Sequence, residues 1–223
     1  MSREGSIEEI SDGKLYRNTD MVKIDCHDCT GCSECCHGLC NLIILDPYDI
    51  YQLETSEHQS FDELMQDKIE LRVVEGLILP NLKPVPGTDH CAFLNEQGMC
   101  GIHKYRPGIC RLYPLGRYYE NHRLHYILQT EECVRGGKTK IKISKWLGIP
   151  RLPLYEQYIL RYHDFLKDIR EQAAQMSDEA LKKLNMDLLE TFFRSSYNKE
   201  IDFYEQFQVR MNQMEQKYIH IEN

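Results

Sequence analysis

Lys23-Ile24-Asp25-Cys26-His27-Asp28-Cys29-Thr30-Gly31-Cys32-Ser33-Glu34-Cys35-Cys36-His37-Gly38-Leu39-Cys40 holds six of the ten cysteines in this chain. Cys26, Cys29, Cys32 and Cys35 recur every three residues. Cys26-x2-Cys29-x2-Cys32-x3-Cys36 has the spacing of the bacterial ferredoxin run, with His37 where that run has proline. An x2 spacing lets two sulfurs converge on one metal centre while the intervening amides point towards them. The vicinal pair Cys35-Cys36 adds information, because neighbouring side chains diverge. Such a pair serves two irons, or two sites, more easily than one tetrahedral ion.

Working outward, Cys91, Cys100, Cys110 and Cys133 form a second group with longer spacings, each at the edge of a predicted turn or hairpin. Folded together they form a second four-thiolate site or reach back to the first. Zinc and iron–sulfur are both compatible with thiolate ligands. Zinc sites usually read as two separated Cys-x2-Cys knuckles, whereas the first group is a continuous run, which favours iron–sulfur.

The rest of the chain narrows the function class. It has 223 residues, 42% apolar and 28% charged, enough for one domain or a domain with a helical extension. A net charge of −8 argues against binding nucleic acid over a broad surface, leaving a protein or small-molecule substrate as the expected partner. The opening residues are polar and acidic, and the longest apolar runs are as short as Leu42-Ile43-Ile44-Leu45, so no membrane contact and a cytoplasmic location are expected. In a reducing compartment clustered thiols are metal ligands before they are disulfides.

The expected fold class is α+β: a small cysteine-rich domain of short strands and helices, followed by a helical region. Residues 1–22 read as a polar arm, 23–150 as the metal-binding domain and 151–223 as the C-terminal helices. Asn41 to Leu45 reads as a strand. Asp46-Pro47 opens a helix as N-cap and first residue, and Ser60 with Glu63 forms a capping-box pattern before a second. Hairpins are expected over Ile69 to Leu79 turning at Glu75-Gly76, over Cys91 to Cys100 turning at Asn95-Glu96-Gln97-Gly98, and over Arg117 to Gln129 turning near Asn121-His122. Lys138, Lys140 and Lys142 alternate with Thr139, Ile141 and Ile143, a strand period with a basic face. Three apolar stripes at helical spacing follow: Tyr155 to Ile169, Leu181 to Phe192, and Tyr204 to Met214.

Two segments together resemble a known family. Cys29-Thr30-Gly31-Cys32-Ser33-Glu34-Cys35-Cys36 resembles the first signature of the zinc- or iron-chelating CxxCxxCC family, the YkgJ-like cysteine cluster proteins. Cys91-Ala92-Phe93-Leu94, Gly98-Met99-Cys100-Gly101-Ile102-His103 and Arg106-Pro107-Gly108-Ile109-Cys110-Arg111-Leu112-Tyr113-Pro114 resemble its second. Ser33 stands where glycine is frequent and Ala92 where proline is. The resemblance covers about residues 26–133 and implies eight ligands: Cys29, Cys32, Cys35, Cys36, Cys91, Cys100, Cys110 and Cys133. Cys26 and Cys40 fall outside that pattern. A relative in the family, flagellin lysine N-methylase, methylates protein lysines with S-adenosylmethionine, which makes methyl transfer an analogy.

Other residues have competing readings. Arg106, Arg111 and Arg117 surround Cys110 and either neutralise a thiolate cluster, hold a substrate carboxylate, or brace the loop through backbone carbonyls. His27, His37 and His90 each adjoin a cysteine, but ten thiols make a histidine ligand unnecessary. Arg135 to Arg151 holds six basic residues and no acidic one, a solvated strand face or a contact for an anionic partner. No Ser-His-Asp triad or phosphate-binding glycine loop is present. Three functional readings follow. The first is a protein holding one or two iron–sulfur clusters, most simply [4Fe-4S]. The second is a metal-cluster-dependent enzyme, such as a methyltransferase, with Arg106, Arg111 and Tyr113 as candidates for positioning reactants. The third is a structural zinc module.

Overall fold

The computed structural model describes residues 7–25, 32–130, 132–133 and 136–219, with the side chain of Asn41 left out. Cys26, His27, Cys29 and Arg135 therefore lie outside the described residues. In chain order the elements are α1 (Ile7–Ile10), β1 (Met21–Asp25), α2 (Pro47–Glu57), α3 (Phe61–Asp67), β2 (Ile69–Val74), β3 (Leu77–Leu82), α4 (Gly108–Leu112), β4 (Leu115–Glu120), β5 (Arg123–Leu128), β6 (Thr139–Lys142), α5 (Ile143–Leu147), α6 (Leu152–Ala173), α7 (Asp178–Leu189) and α8 (Phe203–Tyr218). This is a mixed α+β chain, with short strand pairs around the cysteines and helices α6 to α8 behind them.

Local chemistry explains most boundaries. The Asp46 carboxylate accepts from the Asp49 N–H at 3.0 Å and the Asp49 carboxylate from the Asp46 N–H at 3.1 Å, closing a reciprocal cap in front of Pro47. Ser60 and Glu63 cap α3 in the same way. Two hairpins turn through paired left-handed residues. Glu75 and Gly76 (φ 50° and 84°) join β2 to β3, and Asn121 and His122 (φ 50° and 55°) join β4 to β5. Both central residues of such a turn need positive φ to match the strand twist. The basic alternation at 139–142 becomes β6, antiparallel to β1, with Val22 opposite Ile141.

Three expectations need correction. Asn41 to Leu45 is not a regular strand: Cys40–Leu42 forms a 3-10 turn, and only Ile44 bridges to Asn81. Beside it Pro80 offers a carbonyl, to the Leu45 N–H at 2.9 Å, but no N–H with which to continue a ladder. The Cys91 to Cys100 knuckle turns at Asn95–Gly98 as expected, but pairs only at one bridge, Leu94 to Cys100, with the Asn95 side chain accepting from the Gln97 and Met99 amides. The stretch before β1 is also bound to the body: Tyr16 exchanges both backbone hydrogen bonds with Tyr126 at 2.8 Å.

The helical stripes are buried as their spacing requires. Tyr155, Tyr158, Ile159, Tyr162, Phe165, Leu166 and Ile169 line the inner face of α6. The α7 helix ends in a π-turn over Glu190–Arg194 that buries Phe192 and Phe193. One continuous core runs from Val22 and Ile24 through Leu45, Ile50 and Leu53 to Phe207, Met211 and Met214. Among the described residues no helix is long and apolar enough to cross a membrane.

Candidate metal centre

The two cysteine groups meet through backbone. The Cys91 N–H donates to the Cys36 carbonyl at 2.9 Å and the Gly38 N–H to the Asp89 carbonyl at 3.0 Å. A 3-10 turn over Glu34–Cys36 presents Cys35 and Cys36 from one side, and the knuckle presents Cys91 and Cys100 from the other. The loop between the groups contains α2, α3, β2 and β3, so most of it is folded structure rather than free chain.

Cys36 lies between Cys35 and Cys100 and hydrogen-bonds to both sulfurs. The bond from Cys36 lowers Cys35 and Cys100 to about 7, with the Arg106 charge helping at both. Cys36 itself is held well up by those same bonds and by burial. Burial pushes Cys91 up to about 11, and the neighbouring Cys40, Cys100 and Cys35 add to it. Cys110 is raised by burial and by Cys35, Cys91 and Cys100 around it. Six thiols, those of Cys35, Cys36, Cys40, Cys91, Cys100 and Cys110, thus share one electrostatic neighbourhood. Cys32 and Cys133 lie near Tyr113, whose phenol is raised by burial and then by Glu132, Cys133, Cys35 and Cys32. None of the eight described cysteines forms a disulfide.

Backbone amides support the sulfurs. The Phe93 N–H donates to the Cys91 sulfur and the Ile102 N–H to that of Cys100, each from two residues further on. Amide–sulfur bonds of this kind stabilise thiolates and tune a metal bound to them. The donor set therefore fits a soft metal. Several converging thiols cannot all ionise beside one another without a cation, and a bound metal supplies that charge.

Cys110 is placed by the clamps on α4. The Gly108 N–H donates to Asp49 Oδ1 at 2.8 Å, joining the first turn of α2 to that of α4. Arg111 donates to the carbonyls of Arg106 at 2.9 Å, Leu147 at 3.5 Å and Lys104. Trp146 Nε1–H reaches the Leu112 carbonyl at 3.4 Å. Arg111 is thus committed to the backbone, whereas Arg106 turns its charge towards Cys35 and Cys100. Beneath α4, Arg117 donates to the Tyr155 hydroxyl, and Tyr158 donates to Asp46 Oδ1 at 2.9 Å. Burial raises Asp46 despite the opposing charge of Arg117. Burial and the Asp46 charge raise Asp49 to about 8. A Cβ on Gly108 would meet the Tyr155 hydroxyl and lie 2.6 Å from Arg117 Nη2, so a larger residue there would have to displace that buried pair.

Sequence reasoning treated Asp46 only as a helix cap and gave Gly108 no role; the Asp-Pro cap was the available signal for the first. In the basic stretch, Lys138 donates to the Cys133 carbonyl at 2.6 Å and Arg151 pairs with Asp202, so two of its cations serve the fold. No curated protein and no solved structure matches the chain. Residues 28–134, which hold every cysteine except Cys26, match the model of the CxxCxxCC family, described as a putative zinc- or iron-chelating domain.

Proposed function

We propose that the chain holds a polynuclear metal–thiolate centre, an iron–sulfur cluster, built from both cysteine groups. The observation that carries this reading is the crowding of Cys35, Cys36, Cys40, Cys91, Cys100 and Cys110 into one neighbourhood. A single tetrahedral ion takes four ligands, so this many converging thiols suits more than one metal atom. The ligands are Cys35, Cys36, Cys91, Cys100 and Cys110, with Cys29, Cys32 and Cys133 added on the family resemblance. Cys40 backs the centre from the core, where it is 2% exposed. Arg106 offsets the negative charge of the thiolates, and the Phe93 and Ile102 amides orient two of them. When bound, the cluster would supply one-electron chemistry or a Lewis-acidic iron; the protein supplies the thiolates, the Arg106 charge and the amide donors around it. Anaerobic purification should yield brown protein with iron and acid-labile sulfide, and Cys36→Ser should lose both while Cys40→Ser retains most. Colourless protein with stoichiometric zinc and no sulfide would replace the iron–sulfur reading with a zinc–thiolate one.

A further inference from the structure

The backbone that joins the two cysteine groups has a second face. His37 and His90 form an isolated antiparallel bridge, one residue after Cys36 and one before Cys91. His37 follows the 3-10 turn that carries Cys36 and has extended backbone (φ −111°, ψ 128°), and successive side chains beside such a bridge can project to opposite sides. Where Cys36 and Cys91 turn in towards the thiols, His37 and His90 turn out, with side chains 38% and 51% exposed. Asp89 joins them there. Its Oδ1 lies 3.3 Å from His90 Nε2 and 3.8 Å from His37 Nδ1, and each of the three residues offers one donor atom within 4.8 Å of the other two. The imidazoles meet edge to face at 4.6 Å between ring centres.

Donors about 2.0–2.1 Å from a tetrahedral ion stand about 3.4 Å apart, so small rotations of three exposed side chains suffice to enclose one. The other nitrogen of His37, Nε2, lies 3.4 Å from the Ser33 hydroxyl. A proton on Nε2 donated to that oxygen leaves the Nδ1 lone pair facing Asp89, the arrangement that a metal-binding imidazole needs. The backbone hydrogen bonds between Cys36 and Cys91 and between Gly38 and Asp89 hold the three donors in register.

The geometry points to a second metal site: His37, Asp89 and His90 form an outer three-donor site for a divalent transition-metal ion of the zinc or ferrous class, with its remaining positions open to water. The site goes beyond the thiolate centre and does not depend on whether that centre holds iron–sulfur or zinc. Its nitrogen and carboxylate donors give it a signature that thiolates cannot imitate.

The test is a Co2+ titration of protein whose thiolate centre is already filled, followed by optical absorption and metal analysis. One further equivalent of Co2+ is expected, with visible d–d bands and no added sulfur-to-cobalt charge transfer in the near ultraviolet. Asp89→Asn and His90→Ala should each weaken that equivalent at least about tenfold, while the metal and sulfide of the thiolate centre stay unchanged. The proposal is overturned if the filled protein takes up no further Co2+, if uptake persists undiminished in both variants, or if the new absorption carries sulfur charge transfer. It is equally overturned if the variants shed the thiolate-held metal, since the three side chains would then belong to the inner centre.

Discussion

The cysteine half and the helical half of this protein are stabilised in different ways. Behind α6, Phe165, Phe192, Phe207 and Met211 pack in a dense aromatic and aliphatic core, each 3% exposed or less. Tyr158 alone contacts the rings of Tyr155, Tyr162, Phe203, Tyr204 and Phe207. The cysteine half has, among the described residues, three two-stranded sheets and helices as short as the five residues of α4. A lone two-stranded hairpin is marginal in water, and a short helix gains little from its own hydrogen bonds. Around the thiols, side chain-to-backbone clamps such as those of Arg111 and Asp49 therefore supplement the apolar burial, and the metal proposed above would add to them.

Metal removal should break the comparison most visibly. Structural metal–thiolate binding contributes about 10 kcal/mol or more to folding, so metal-free protein should lose amide protection in residues 32–133 while α6 to α8 keep more of theirs. Hydrogen exchange with and without metal is the measurement. Equal protection of 32–133 in both states would show that apolar burial, not metal, organises that half.

A matched pair of substitutions sharpens the contrast. Phe192, fully buried, touches Tyr162, Phe165 and Phe207, and Phe192→Ala should cost about 3–5 kcal/mol by leaving a cavity. Its metal content per folded chain should be normal. Gly108→Ala should cost less, about 1–3 kcal/mol for overpacking, yet reduce metal content because it displaces the helix that carries Cys110. Urea unfolding combined with metal analysis separates the two, and normal metal content in Gly108→Ala would unlink the Asp49 clamp from the site.

The smallest expected effect is a pH slope. Asp49 is raised to about 8 in the fold, against about 3.9 in an unfolded chain. Its contribution to stability is fully present below about pH 4 and is lost as pH rises through about 8. The thiolate centre has the opposite sign, because metal displaces protons there and binds more tightly as pH rises. Comparing wild type with Asp49→Asn between pH 4 and 8 isolates the carboxyl: the variant should show less loss of stability with rising pH, by at most about 1.4 kcal/mol per pH unit. An unchanged slope would mean that Asp49 stays ionised, held by Arg117 and its two amide donors.

Much of the fold was legible because its signals are local. The Asp46-Pro47 and Ser60 caps, the turns at Glu75-Gly76 and Asn121-His122, and the helical stripes each depend on residues within a few positions of one another. One failure came from a distant partner and one from a side chain close by. The Asn41–Leu45 run has β-forming residues, but its neighbour Pro80 lies far along the chain and denies it a ladder. The turn expected at Asn95–Gly98 forms, but the Asn95 side chain takes the Gln97 and Met99 amides and the segment makes only one bridge, Leu94 to Cys100.

The amino-acid sequence by itself determined that thiol chemistry dominates the first half, that helical packing dominates the second, and which residues cap and turn the elements between them. Those properties follow from side-chain type and short spacing. Only the tertiary structure decided that Cys35 and Cys36 face Cys91, Cys100 and Cys110. It alone decided that Arg111 is held by carbonyls while Arg106 faces the sulfurs, and that Gly108 lies bare against Tyr155. The physical reason is that charge neighbourhoods and close approach depend on distance in space. A chain sets such distances only when its apolar faces have packed and its buried polar groups have found their partners.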